Sequence, residues 1–214
     1  MKTRSVVLAG ATGLVGREML TRLLADASIG VVHALVRRQL DLQHPKLTEH
    51  LVRFAALPQF PAVDEAYLAL GTTIKAAGSQ AAFRAVDFDA NLAVARAAQD
   101  AGARRVGLVS AMGANAHSNI FYNRVKGEVE EAIKALNFEA LVIARPSLLT
   151  GDREALGQPP RAGEKLAAVG GGLLRLFIPA DYRPISAANV AHALLNRVPT
   201  ARGIEVLLSG AMQS

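Results

Sequence analysis

The sequence predicts an α/β domain built on a doubly wound parallel sheet with helices on both faces. Short β-branched or leucine-rich runs alternate with longer amphipathic stretches, several of those runs are apolar throughout, and a glycine-rich turn joins the first run to the first amphipathic stretch. Such alternation is the pattern of βα units, and an apolar run with no polar break is what a strand covered on both faces requires.

Taken in order, the strand candidates are Ser5–Ala9, Val31–Val36, Leu51–Ala55, Ala66–Leu70, Arg105–Val109, Ala140–Ala144 and Glu205–Leu208. Between them, Gly16–Asp26 sets Met19, Leu20, Leu23 and Leu24 on one helical face, and Asp87–Ala101 does so with Leu92, Ala95 and Ala98. A third helix over Tyr122–Leu136 alternates Val125, Val129, Ile133 and Leu136 with Lys126, Glu128, Glu130, Glu131 and Lys134. Gly102 and Asn137 are stop signals for the second and third helices. Leu166–Ala180 reads as a helix followed by a loop, too short and too interrupted by Arg175 and Gly170-Gly171-Gly172 to span a bilayer.

At 214 residues the chain is expected to form one domain over 1–214, with an irregular Gly-, Pro- and Arg-rich insertion on the substrate side at about 151–184. A makeup of 51% hydrophobic and 20% charged residues is that of a packed protein and not of a disordered one. No cysteine is present, which excludes disulfides, thiolate metal sites and thiol nucleophiles. The formal charge of +6 is spread in pairs such as Arg37-Arg38 and Arg104-Arg105, so neither nucleic acid nor a membrane surface is expected as partner. The five histidines form no ligand cluster with carboxylates, and no serine occupies a G-x-S-x-G elbow, so metal and acyl-transfer mechanisms are not expected. Residues Met1–Ser5 lead straight into the first strand without a secretory leader, from which a cytoplasmic location is expected.

The chemistry begins with Gly10-Ala11-Thr12-Gly13-Leu14-Val15-Gly16, a G-x-x-G-x-x-G turn between a strand and a helix. The first glycine permits the tight turn, the second lets backbone approach a pyrophosphate, and the third allows close helix–strand packing, while the helix N-terminus offers free N–H donors to the anion. This is the setting of a Rossmann-type dinucleotide site. Where NAD-selective proteins carry an acidic residue for the ribose hydroxyls, this chain has Arg37 and Arg38, which suit a 2′-phosphate and favour NADP(H); nearby Asp41 leaves NAD(H) open.

Tyr122 and Lys126 stand four apart, so on a helix they share a face one turn from each other, and an ammonium beside a phenol favours the phenolate needed for proton transfer. Ser110 follows the strand Arg105–Val109 directly, where its hydroxyl is expected to project toward the cofactor crevice and bind a substrate carbonyl. Together with the glycine turn, these residues assemble the parts of a hydride-transfer site.

The order of glycine turn, Leu70-Gly71-Thr72-Thr73, Ser110, Tyr122/Lys126 and Arg145-Pro146-Ser147 resembles the short-chain dehydrogenase/reductase superfamily over most of the chain. Ser110-Ala111-Met112-Gly113-Ala114 and Phe121-Tyr122-Asn123-Arg124-Val125-Lys126-Gly127-Glu128 are similar to the atypical branch containing the Tat-interacting, NADPH-binding oxidoreductase-like proteins, whose bacterial members are often labelled NAD(P)-dependent epimerase/dehydratase. The resemblance implies that Ser110 orients the substrate oxygen, that Tyr122 is the acid/base, and that Lys126 binds the nicotinamide ribose and tunes Tyr122. It further implies that Leu70, Gly71, Thr72 and Pro146 line the cofactor channel. The asparagine that completes a proton relay in standard members aligns with Asp87, with Asn91 close by.

The expected function is therefore an NADP(H)-dependent oxidoreductase acting on a small carbonyl or alcohol, as a monomer or small homo-oligomer. Two alternatives remain, a sugar-nucleotide epimerase/dehydratase and an NADP(H)-binding regulator with little turnover. His117, Ser118 and Asn119 are read as solvated loop residues, Lys75 as a surface lysine, and His33 and His192 as hydrogen-bonded structural histidines.

Overall fold

The computed structural model describes residues 3–151 and 179–213. Seven strands form one parallel sheet: β1 (Arg4–Ala9), β2 (Ile29–Val36), β3 (Leu47–Leu51), β4 (Glu65–Leu68), β5 (Arg105–Val109), β6 (Ala140–Arg145) and β9 (Gly203–Leu208), in the order 3-2-1-4-5-6-9. This is the Rossmann-type architecture expected. A short parallel pair, β7 (Leu149–Thr150) with β8 (Ile185–Ser186), stands apart from it.

Two apolar layers sandwich the sheet. On one face α1 (Leu14–Ala25) and α6 (Ala187–Arg197) pack Val15, Met19, Leu20, Leu23, Val190 and Leu194 against β1, β2 and β6. On the other, α4 (Asn91–Asp100) and α5 (Phe121–Lys134) bring Val94, Ala95, Ala98, Val129 and Ile133 against β1, β4, β5 and β6. Each large apolar side chain fully buried this way contributes about 1.5–3 kcal/mol. The covering of both faces explains why β1, β4 and β6 read as unbroken apolar runs.

Between β4 and α4 the chain makes two short helices, α2 (Ile74–Ala77) and α3 (Gln80–Arg84), capped by the Thr73 and Ser79 hydroxyls, and then a π-helical stretch over Ala85–Ala90. The π turn places Asp87 in a fully buried position, and such insertions concentrate at functional sites.

The third strand differs from expectation. It spans Leu47–Leu51, not Leu51–Ala55, because it is the sheet's edge: its residues are half-buried or exposed and none is buried, so polar Thr48, Glu49 and His50 are tolerated there. The apolar residues that misplaced it, Val52 and Phe54, pack on the second core just beyond the strand. The helix expected within Leu166–Ala180 and most of the 151–184 insertion lie outside the described residues. At the neck of that segment, Leu149 pairs with Ile185 and Thr150 with Ser186, while the Ser147 hydroxyl donates to the Arg183 carbonyl.

Candidate dinucleotide site

The glycine turn closes the carboxyl end of β1. Gly10 has φ +94°, and a Cβ there would lie 2.4 Å from the Ala69 carbonyl oxygen, so both backbone conformation and the neighbouring β4 exit demand glycine. At Gly16 a Cβ would fall 1.9 Å from the Gly10 oxygen, which sets how closely α1 packs on the turn. Gly13, whose N–H donates to the Gly10 carbonyl at 2.9 Å, caps α1 with no side-chain acceptor, and no acid stands in the first turn. The amides of Leu14, Val15 and Gly16 therefore have no intrahelical acceptor, and the positive end of the helix dipole lies beside the exposed Thr12. A pyrophosphate fits this cradle.

The second wall comes from the β4 exit. Asn91 donates to the carbonyls of Leu70 and Asp87, both at 3.1 Å, and Asp87 accepts the Thr72 amide at 2.9 Å, which fixes the Leu70–Thr72 backbone. Gly71 is exposed, and a Cβ there would stand 3.5 Å from Asp87 Oδ1 and 3.8 Å from Lys126 Nζ. Lacking one, Gly71 leaves open space bordering that charged pair.

Lys126 Nζ contacts Asp87 Oδ1 at 2.7 Å, with the two side chains 5% and 0% exposed. Burial pulls the lysine pKa down, but the Asp87 charge, helped by Tyr122 and Glu130, outweighs it and the net shift is upward. Lys126 is thus a permanent cation held in place, one helical turn from half-buried Tyr122. The Tyr122 ring packs against Phe83 of α3, centroids 5.4 Å apart and tilted by 41°. Of the two residues near the relay position, Asp87 is the one that meets Lys126.

Ser110 is bonded to a carboxylate inside the protein. Its hydroxyl is buried and donates to Glu130 Oε1 at 2.5 Å; Arg145, the last residue of β6, holds the same carboxylate through Nε at 3.0 Å and Nη2 at 2.5 Å. The fully buried Glu130 needs both donors, and the Ser110 hydroxyl is one of them. Glu130 itself was missed. Its signal was the i, i+4, i+8 spacing of Tyr122, Lys126 and Glu130, which sets a carboxylate on the sheet-facing side of α5.

Two further residues fix the site's geometry. A Cβ on Gly127 would lie 2.1 Å from the Ala116 nitrogen, so the loop after β5 can rest directly on α5 only because of this glycine. Pro146 is buried and its carbonyl accepts the Met112 amide at 2.9 Å, tying the exits of β5 and β6 together. Arg37 and Arg38 are both exposed just past β2; Arg37 lines an open cleft of about 620 Å³ with Arg53 and the apolar residues beyond β3, and Arg38 does not. His117 is exposed, as expected of a loop residue, and His192 lies on the solvent face of α6, where Asn196 reaches its Nε2 at 2.8 Å.

Comparison with known proteins agrees with this geometry: the NAD(P)H-binding family model matches residues 10–198. The chain belongs to the NAD(P)H-binding family. Protein fmp52, mitochondrial, of Emericella nidulans is 39% identical over 160 residues, covering 70% of this chain and 69% of the relative. Protein FMP52, mitochondrial, of Eremothecium gossypii is 40% identical over 154 residues, covering 70% and 68%. Among solved structures, MoeE5 in complex with UDP-glucose and NAD superposes with a TM-score of 0.71 at 18% identity, covering 95% of this chain and 75% of that one. A short chain dehydrogenase/reductase family oxidoreductase from Burkholderia thailandensis gives 0.69 at 18% identity, covering 100% and 94%. These likenesses show the fold, and the neighbours include a short chain dehydrogenase family protein, a UDP-N-acetylglucosamine 4-epimerase and an enzyme in complex with NAD+.

The relatives also overturn the expected cytoplasmic location, since they are named as mitochondrial proteins. A cysteine-free Rossmann domain can fold in either compartment, so composition carried no information on this point. Among the described residues, no helix is long and apolar enough to cross a membrane, and no three metal-ligating side chains cluster.

Proposed function

We propose that this NAD(P)H-binding protein is an NADP(H)-dependent oxidoreductase that interconverts a small carbonyl compound and its alcohol. The observation that carries this reading is the convergence, at the carboxyl edge of the sheet, of three parts: the uncapped start of α1, the open face of Gly71, and the Lys126 ammonium 3.8 Å from where a Gly71 side chain would begin. Bound nicotinamide supplies or accepts the hydride. The α1 amides hold the pyrophosphate, and Leu70–Thr72 with Pro146 shape the channel floor. Lys126, held by Asp87, presents fixed positive charge where a ribose hydroxyl and the Tyr122 oxygen would meet it. Tyr122 gives its phenolic proton to the alkoxide formed on reduction and takes it back on oxidation. Ser110 acts behind this machinery, tying β5 to α5 through Glu130, and Arg37 and Arg38 supply the preference for the 2′-phosphate.

Tyr122→Phe tests the assignment. NADPH-dependent reduction across a panel of aldehydes and ketones should fall by about 10²-fold or more, while NADPH affinity measured by calorimetry stays within about twofold. Undiminished turnover removes Tyr122 from the chemistry. One observation favours a second reading, an NADP(H)-binding regulator with little turnover: the Lys126 and Ser110 side chains are both bonded to internal carboxylates. On that reading Tyr122→Phe leaves cofactor-dependent binding of a partner intact and wild-type turnover is negligible over the whole panel.

A further inference from the structure

We infer that Arg53 is the second arm of a two-arginine clamp for the adenosine 2′-phosphate, acting with Arg37, and that Arg38 stands outside it. The inference rests on the NADP(H) reading above. The open cleft beyond β2 and β3 is lined by Arg37 and Arg53 on its polar side and by Leu51, Ala56, Leu57 and Pro58 on its apolar side. Backbone bonds fix both arginines. The Val52 amide donates to the Val36 carbonyl at 2.9 Å, extending the β2–β3 ladder between the two positions, and the Ala56 amide donates to the Arg53 carbonyl at 2.9 Å in a tight turn. No carboxylate lines the cleft, and the nearest acid on β3, Glu49, is engaged by the Leu40 amide at 2.8 Å. Among the described residues neither the Arg37 nor the Arg53 guanidinium has an ion-pair or hydrogen-bond partner.

Two exposed guanidinium groups that share a cleft without a counter-charge repel each other and favour an anion between them. A phosphate monoester carries a charge of about −1.5 to −2 at neutral pH, matching the pair, and each guanidinium offers it a planar fork of donors. The cleft lies on the sheet side reached from the glycine turn by crossing β2, since β2 pairs with β1 up to Leu35 opposite Ala9. The apolar wall gives a purine a face to rest on. Arg38, next in sequence but not lining the cleft, contributes general positive potential only.

Calorimetric titration of NADPH and NADH into the full-length wild type, Arg37→Ala, Arg38→Ala and Arg53→Ala tests this, with thermal melting as a check on folding. Wild type should prefer NADPH. Arg53→Ala should lose about tenfold or more in NADPH affinity while NADH changes by less than about twofold, as should Arg37→Ala; Arg38→Ala should keep the ratio within about twofold. A ratio unchanged in Arg53→Ala but collapsed in Arg37→Ala or Arg38→Ala overturns the clamp and leaves the NADP(H) reading standing. Equal losses in Arg38→Ala and Arg53→Ala overturn the exclusion of Arg38. A wild type without preference removes the NADP(H) reading itself, and the clamp with it.

Discussion

Replacing Asp87 with alanine would strand the Lys126 ammonium inside the protein. The lysine side chain is only 5% exposed and its carboxylate partner sits at 2.7 Å, so the variant leaves a buried charge unpaired, a change that costs about 3–5 kcal/mol. The Thr72 amide loses its acceptor at the same time. For a chain of this size each kcal/mol moves the melting temperature by about 2–4 °C, so a fall of about 6–20 °C is expected near neutral pH. The pH dependence gives a second, independent signature. In the native protein the Lys126 pKa is raised, so the pair's contribution is whole below the unfolded value of about 10.4 and is lost as pH climbs through the raised native value. In Asp87→Ala, burial acts on Lys126 without its principal opponent, and the native pKa drops below the unfolded one. The unfolded chain then binds the extra proton, and the variant gains stability as pH rises toward about 10.4. Urea midpoints for both proteins between pH 7 and pH 10, at fixed ionic strength, should show the gap narrowing upward. A loss under about 1 kcal/mol, or a gap that does not change with pH, refutes the reasoning.

The remaining predictions concern packing and the sheet edge. Gly16→Ala places a methyl 1.9 Å from the Gly10 oxygen, so it should cost at least about 1–3 kcal/mol and abolish measurable NADPH binding; near-wild-type affinity would show that the turn yields easily. Gly127→Ala drives a methyl into the backbone at Asn115–Ala116 and should lower the unfolding midpoint by a similar amount of about 1–3 kcal/mol while dinucleotide affinity, read by calorimetry, falls less than in Gly16→Ala. His33 Nδ1 and His50 Nε2 lie 2.9 Å apart, and burial lowers both pKa values, with the His50 charge adding to the effect on His33. Stability should therefore be whole above about pH 6.5 and decline as pH falls through the lowered native values; His50→Phe should flatten that decline in urea midpoints measured from pH 7.5 to 5.

Much of the fold was legible because its signals are local. The β1 run, the glycine turn and the apolar face of α1 lie within one short stretch, and each constrains the others. β5 was placed at its observed bounds for the same reason, being an apolar strand between two amphipathic helices. β3 was not legible, because an edge strand needs no unbroken apolar run and the adjacent Leu51–Ala55 imitates one. In the site, the Tyr122/Lys126 spacing was visible, but the bond between Ser110 and Glu130 was not. A hydroxyl one residue past a strand turns toward whichever partner costs least to satisfy, and that partner, Glu130, is supplied by a helix formed later in the chain. Arg53 carries no local signal in the sequence; only the fold shows that it shares a cleft with Arg37.

All neighbouring strands of the large sheet run in the same direction, and the wall that completes the Gly10 bend is the Ala69 carbonyl, supplied far later in synthesis. A nascent chain that has produced β1 and α1 therefore owns the phosphate-gripping amides but not the surface that holds their bend in shape. Dinucleotide capture must await the crossover that brings β4 alongside β1, a slow event because distant segments have to meet before any reward is collected. Once captured, a ligand that binds only the finished protein protects it by RT ln(1 + [L]/Kd), about 2.7 kcal/mol at a hundredfold excess over Kd. The abundance of the nucleotide thereby sets part of the folded protein's equilibrium stability, independently of any turnover.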